Sequence, residues 1–296
     1  MADWGNVLTA MVTPFQADGK LDEVAFTDMA NYLLENGTDS LVVSGTTGES
    51  PTLSNPEKLR IFELAIKAAK GRGSIIAGTG TNDTGDVITL SREAKAVGVD
   101  ALLMITPYYN KPNQEGLYQH FRAVAESTDL PIMLYNVPAR TNVNMNSDTC
   151  LRLAHDCPNI VAMKEASGNL VQVSEIIAGA PKGFRLYSGE DGLVLPTLAL
   201  GGRGVASVTS HIVGKDMQAM CKAFFAGDLC TARELHEKML PIVRACFQPT
   251  TPSPAPVKAA LRMLGKAVGP VRLPLVDCTE RECEIVRTAL KEYGLV

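Results

Sequence analysis

Lys164 lies in the stretch NIVAMKEASG, Asn159 to Gly168, directly after the apolar residues Ile160, Val161 and Met163. Such a run has the composition of a strand buried on both faces. Burying an ammonium is costly, so burial lowers a lysine's pKa and favours the neutral amine. A neutral amine attacks carbonyl carbon, which is the Schiff-base chemistry of lysine. For this stretch alone the plainer reading is a lysine snorkelling to solvent at a strand tip, or paired with Glu165. Other reactive side chains stand at comparable places. Gly45-Thr46-Thr47-Gly48-Glu49-Ser50 follows one apolar run, and its small residues let backbone N–H groups converge on an anion such as a carboxylate. Pro107-Tyr108-Tyr109-Asn110 and Tyr135-Asn136-Val137-Pro138-Ala139-Arg140 follow two more, and Gly189-Glu190-Asp191 and Gly204-Val205-Ala206-Ser207 the last two. Tyrosine hydroxyls beside a neutral lysine can shuttle protons to a carbinolamine, and an arginine can fork onto a second carboxylate. Taken singly, Tyr135 reads equally well as a core tyrosine and Arg140 as a surface ion-pair partner. Taken together they describe one reaction class: an α-keto acid forms an imine with lysine, becomes an enamine and attacks an aldehyde.

That chemistry needs a scaffold that brings distant strand ends together. Eight apolar, β-branched runs are spaced along the chain: Val7–Met11, Ser40–Ser44, Ser74–Gly78, Ala101–Thr106, Ile132–Asn136, Ile160–Lys164, Arg185–Ser188 and Gly204–Val208. Amphipathic patterns fall between them. Asp22 to Asn36 puts Phe26, Met29, Leu33 and Leu34 on one face, with Gly37 closing it. Ser54 and Glu57 predict a capping box, with Pro56 in the first turn and Gly71 as the stop. Thr84 to Val97 ends before Gly98, Leu117, Phe121 and Val124 mark a further helix, and Leu170 to Ile177 another. Eight strand-then-helix units predict a closed (β/α)8 TIM barrel, with chemistry at the carboxyl ends of its strands. A doubly wound sheet would place a glycine-rich dinucleotide loop after its first strand, where this chain has Thr-Pro-Phe. Strands stop after Ala226, so the expected division is a barrel over 1–226 and a C-terminal helical appendage over 227–296. The proline-rich Gln248–Pro256 reads as a packed loop or as a flexible linker.

Composition narrows the classes. Among 296 residues, 46% are hydrophobic and 20% charged, ordinary values for a globular protein. A net charge of −4 gives no basic surface for nucleic acid or anionic lipid. MADWGNVLTAMVTPF lacks the basic start and long apolar core of a signal peptide, and no apolar run reaches bilayer length. The seven cysteines form no C-x-x-C pair, and the four histidines, His120, His155, His211 and His236, are dispersed. Reduced thiols, a cytoplasmic location and no metal site are therefore expected.

GTTGES (Gly45–Ser50), PYYNKP (Pro107–Pro112), LYNVPARTN (Leu134–Asn142), KEASGN (Lys164–Asn169) and GGRGVASV (Gly201–Val208) resemble the dihydrodipicolinate synthase family. These are pyruvate-dependent class I aldolases, related to N-acetylneuraminate lyase. The resemblance runs nearly end to end, in the family's motif order. It implies that Lys164 forms the Schiff base with pyruvate and that Tyr135 donates and accepts the proton. It implies that Thr47 holds the pyruvate carboxylate and links Tyr135 to Tyr109 in a relay, with Thr46 beside it. Tyr109 would reach into a neighbouring subunit, making a dimer the smallest active unit and a dimer of dimers the expected homo-oligomer. Arg140 would receive the carboxylate of L-aspartate 4-semialdehyde, and Gly189 and Ala206 would line the pocket. No cofactor is implied, because the lysine is the electron sink. Ala206 departs from an isoleucine common in relatives, and Glu190-Asp191 from a more usual Asp-Asp. The family's lysine-inhibitor site maps onto Ser50, Pro51, Asn55, Lys58, Asn82, Asp86 and Tyr108. The cation of Lys58 would repel a second cation there, so weak or absent inhibition is expected. The competing expectations are another pyruvate aldolase, cleaving N-acetylneuraminate or a keto-deoxy sugar acid, and a barrel that has lost catalysis. The last would be expected to lack the lysine or the tyrosine.

Overall fold

The computed structural model describes residues 3–296. Eight parallel strands, β1 (Val7–Ala10), β2 (Ser40–Val43), β3 (Ser74–Gly78), β4 (Ala101–Ile105), β5 (Ile132–Asn136), β6 (Ile160–Glu165), β7 (Arg185–Ser188) and β8 (Gly204–Ser207), close in sequential order into a barrel. Closure is made by β1 pairing β8, with Leu8 opposite Ala206. Helices α1 (Glu23–Glu35), α2 (Asn55–Ala69), α3 (Thr84–Val97), α4 (Gln114–Glu126), α5 (Pro138–Thr141), α6 (Ser147–Asp156), α7 (Leu170–Gly179), α8 (Val194–Ala199) and α9 (Ser210–Phe225) fall between and after the strands. The C-terminal part adds α10 (Leu229–Cys246), α11 (Ala255–Met263) and α12 (Glu280–Tyr293).

Two apolar layers hold this together. Strand residues facing the helices, such as Val43, Ile75, Leu102, Leu134 and Met163, join one large core with helix residues such as Phe62. Residues of the opposite parity, among them Leu8, Val42, Ile76, Leu103, Tyr135, Ala162, Tyr187 and Ala206, fill the barrel interior. Alternation along each strand assigns the two sets, and burial on both faces explains the continuous apolar runs.

The local signals act as their chemistry requires. Ser54 and Glu57 form a reciprocal capping box, and Gly98 ends α3 in the left-handed conformation. At the end of α2 the left-handed position is taken by Lys70, at φ 48°, one residue before the expected Gly71. Gln248–Pro256 packs as a loop: Gln248, Thr251 and Ser253 are buried, and Pro256 lies in the first turn of α11. No helix among the described residues is long and apolar enough to cross a membrane.

Candidate active site

Along β6 and just past its end, Ala162, Lys164 and Ala166 share one parity, and both alanines lie in the barrel-interior cluster. Lys164 therefore points inward, and only 5% of its surface is exposed. Its register partner on β5 is Tyr135, and its partner on β7 is Tyr187. The Lys164 Nζ stands 4.5 Å from the centroid of the Tyr135 ring. Burial lowers the Lys164 pKa to about 8, while Asp191 and Glu190 pull it back up and Arg140 pushes it further down. Burial also raises the Tyr135 hydroxyl to about 12, against smaller lowering effects of Arg140 and of a hydrogen bond with Thr46.

Glu165 has the opposite parity and does not pair with Lys164. It accepts from Asn136 Nδ2 at 3.1 Å, Gln172 Nε2 at 2.9 Å and the Ser167 amide at 2.6 Å. Asn136 and Gln172 are each bonded in turn to Asn144, at 2.7 and 2.9 Å. This buried polar network ties the loops after β5 and β6 to each other, behind the lysine. Across the barrel mouth, Gly189 admits no side chain: a Cβ there would stand 2.6 Å from Ala166 Cβ and 3.2 Å from Lys164 Cε. Ala206 is fully buried in the interior.

The turn after β2 is bracketed by two left-handed non-glycine residues, Ser44 at φ 60° and Glu49 at φ 57°. Within it the amides of Gly48, Glu49 and Ser50 return to the carbonyls of Gly45 and Thr46. The Thr46 and Thr47 amides donate to no group of the described chain, which leaves them for a ligand. Both threonines thus stand in a turn whose central amides bond to no group of the described chain. Of the two, Thr46 is the one whose side chain acts on the Tyr135 hydroxyl, lowering its pKa slightly.

The remaining expected residues divide. Arg140, on α5, acts electrostatically on Lys164 and Tyr135, and its Nη2 donates to the Ser253 carbonyl at 3.4 Å. Tyr109 is 88% exposed, with a left-handed φ of 73°, and does not join the site of its own chain. Ser50, Pro51, Lys58 and Tyr108 line one cavity together with Thr46 and Tyr135. Asn55 and Asp86 stay at the surface, and the Asn82 carbonyl accepts from Asn110 Nδ2 at 2.8 Å. Asp191, named from sequence only as part of the Gly189-Glu190-Asp191 strand end, was given no role there. It is buried, with Oδ2 accepting from the Val208 and Thr209 amides at 3.0 and 3.1 Å and Oδ1 unpartnered. Its position next to Gly189 at the end of β7 was the available signal.

A buried lysine beside a buried tyrosine, at the carboxyl mouth of a parallel eight-stranded barrel, places the protein among the (β/α)8 lyases. The chain matches the Dihydrodipicolinate synthetase family over residues 3–293 and belongs to that family. It is 55% identical over 293 residues to the 4-hydroxy-tetrahydrodipicolinate synthase of Moorella thermoacetica, covering 99% of both chains. The solved dihydrodipicolinate synthase of Bacillus anthracis superposes with a TM-score of 0.95 at 47% identity, over 98% of this chain and 99% of that one. The enzyme of Cyanidioschyzon merolae, solved with lysine bound, gives a TM-score of 0.97 at 44% identity and 99% coverage of each chain.

Proposed function

We propose that Lys164 carries the family's reaction in this chain. The enzyme is a lyase that condenses pyruvate with L-aspartate 4-semialdehyde to give 4-hydroxy-tetrahydrodipicolinate, in the diaminopimelate route to lysine. The observation that carries the assignment is the inward, unpaired Lys164 Nζ, 4.5 Å from the Tyr135 ring. Pyruvate binds with its carboxylate on the free amides of Thr46 and Thr47. The neutral Lys164 amine attacks the keto carbon, and Tyr135 protonates the departing hydroxyl so that water leaves and the imine forms. Loss of a methyl proton gives the enamine, whose carbon attacks the aldehyde. The second substrate's carboxylate lies on Arg140, and Gly189 and Ala206 leave room at the wall. The substrate's own amine then displaces Lys164 and closes the ring.

In this reading Tyr109 serves a neighbouring subunit. An aromatic side chain 88% exposed on a strained backbone supports a dimer as the working unit, assembled further as a dimer of dimers. The barrel of residues 1–226 carries the chemistry, and the helical part over 227–296 braces it. Seven unpaired cysteines suit a reducing cytoplasm.

Borohydride reduction in the presence of pyruvate, followed by peptide mapping, tests the assignment. The expected adduct is on Lys164; label on another residue, or no label, overturns it. Parallel assays with aspartate semialdehyde and with N-acetylneuraminate separate the synthase from a sialic acid lyase.

A further inference from the structure

Glu49 ends the turn that carries the Thr46 and Thr47 amides, yet its side chain is held from the far end of the sequence. Its Oε1 accepts from Lys258 Nζ on α11 at 2.7 Å, and both side chains are 0% exposed. Its Oε2 accepts from the Arg272 amide at 2.8 Å. Lys258 Nζ also donates to the Pro270 carbonyl at 2.8 Å and lies 4.5 Å over the Phe15 ring, which the Arg272 guanidinium approaches at 4.1 Å. Arg272 reaches on to the Thr52 carbonyl at 2.9 Å and to Glu57, in the capping box of α2, at 2.5 Å. The C-terminal part therefore holds the last residue of the turn through a buried ion pair and a backbone amide.

We infer that Lys258, acting through Glu49, is a positioning residue for the pyruvate-carboxylate turn. The inference rests on the proposed role of Thr46 and Thr47. A non-glycine residue keeps a left-handed backbone only where its surroundings over-determine it. At Glu49 the over-determination is the buried carboxylate, bonded through both oxygens to α11 and to the segment after it. Ser44, the other left-handed residue, is tied into the same turn by its hydroxyl, which bonds the Ser50 hydroxyl at 3.1 Å. With the carboxylate released, Glu49 can return to a negative φ, and the two free amides lose their common aim. The same C-terminal segment accepts from Arg140 at Ser253, but only through one long 3.4 Å bond, so the second substrate's site depends on it less.

The test uses the full-length enzyme and two variants. Lys258→Met leaves the Glu49 charge buried and unpaired, which can prevent folding. The double variant Glu49→Gln/Lys258→Met removes both charges and keeps the volume, so it folds where the single variant does not. In whichever variants fold, the KM for pyruvate rises at least about tenfold while the KM for aspartate semialdehyde moves less than about twofold, and Lys258→Arg restores part of the loss. The pyruvate concentration that half-saturates borohydride trapping shifts by the same factor. A folded variant with unchanged pyruvate KM and trapping, or with both KM values raised equally, overturns the inference. Failure of the wild-type enzyme to trap pyruvate on Lys164 overturns the proposed site itself, and the inference with it.

Discussion

Tyr135 and Lys164 are direct register partners on neighbouring strands, and the amine stands 4.5 Å from the phenol ring. One burial acts on both in opposite directions, lowering the lysine to about 8 and raising the tyrosine to about 12. Desolvation disfavours whichever form is charged, so both groups lean toward neutrality. A neutral amine and a protonated phenol are the nucleophile and acid that imine formation needs.

The pH dependence of trapping follows. At pH 7, about a tenth of a lysine with pKa 8 is neutral, against about one in three thousand at the ordinary value. The rate of pyruvate adduct formation should rise with pH through an inflection near 8. Asp191 stabilises the ammonium, so Asp191→Asn should move the inflection downward. An inflection remaining above pH 10 would remove Lys164 as a desolvated nucleophile.

Tyr135→Phe keeps the ring in the interior core and removes only the hydroxyl bonded to Thr46. The melting temperature should change little, and kcat should fall about a hundredfold or more. Thr46→Val should lower kcat in the same direction and by more than Thr47→Val, since Thr46 is the threonine whose side chain acts on the Tyr135 hydroxyl. Equal losses at the two threonines would contradict that assignment.

The fold was legible because each strand is buried on both faces and so reads as an uninterrupted apolar run, and because Ser54, Gly98 and Gly37 punctuate the helices. Lys164 was legible because it breaks such a run. Thr46 and Thr47 were legible only as a pair, since adjacent turn residues give no parity to tell them apart. The grip of Lys258 on Glu49 joins residues 209 positions apart, and no local pattern reaches across that distance. Asp191 was visible at its strand end but carried no role, because an acid after Gly189 looks like any loop carboxylate until Val208 and Thr209 are seen to bind it. Helix α6 was missed because its buried face is short, formed by Thr149, Cys150, Leu153 and Ala154 between polar neighbours.

Tyr109 gives a prediction about assembly. Lys164→Ala should be inactive, and Tyr109→Phe should be impaired without loss of thermal stability, because its side chain is largely exposed in its own chain. In a dimer that shares Tyr109 across the interface, mixed dimers of the two variants contain one intact site. Unfolding and refolding the two together should recover about a quarter of wild-type sites. No recovery above the sum of the separate variants would mean that Tyr109 acts within its own chain.

Lysine should inhibit weakly or not at all. Lys58 lines the cavity that Ser50, Pro51 and Tyr108 share, and it is buried, with Asp86 as its through-space acidic neighbour. A ligand ammonium entering there meets a cation already in place. Initial rates at saturating pyruvate should be unchanged up to millimolar lysine, and clear inhibition at that level would refute the reading.

Acid stability should fail first through two histidines. His211 is fully buried and neutral, its Nε2 accepting from the Val12 amide at 3.1 Å and its Nδ1 donating to the Val208 carbonyl at 2.7 Å. His120 is bonded to Thr84 through Nδ1 at 2.9 Å, and its Nε2 has no partner. Burial lowers both to about 4, from an ordinary 6.5. Because the folded values are depressed, the unfolded chain takes up protons first as pH falls. The stabilisation is complete above about 6.5 and drains away between there and 4, by at most about 3 kcal/mol for each histidine. Glu57, lowered to about 2 chiefly by its bond with Arg272, loses its contribution only in a lower window, between 4.5 and 2. Urea midpoints measured from pH 8 to 4.5 should therefore decline before the contribution of Glu57 is lost. His211→Gln, which keeps an acceptor but cannot gain the proton, should flatten that decline. A wild-type profile that stays level to pH 4.5 would show that neither ring resists protonation in the folded protein.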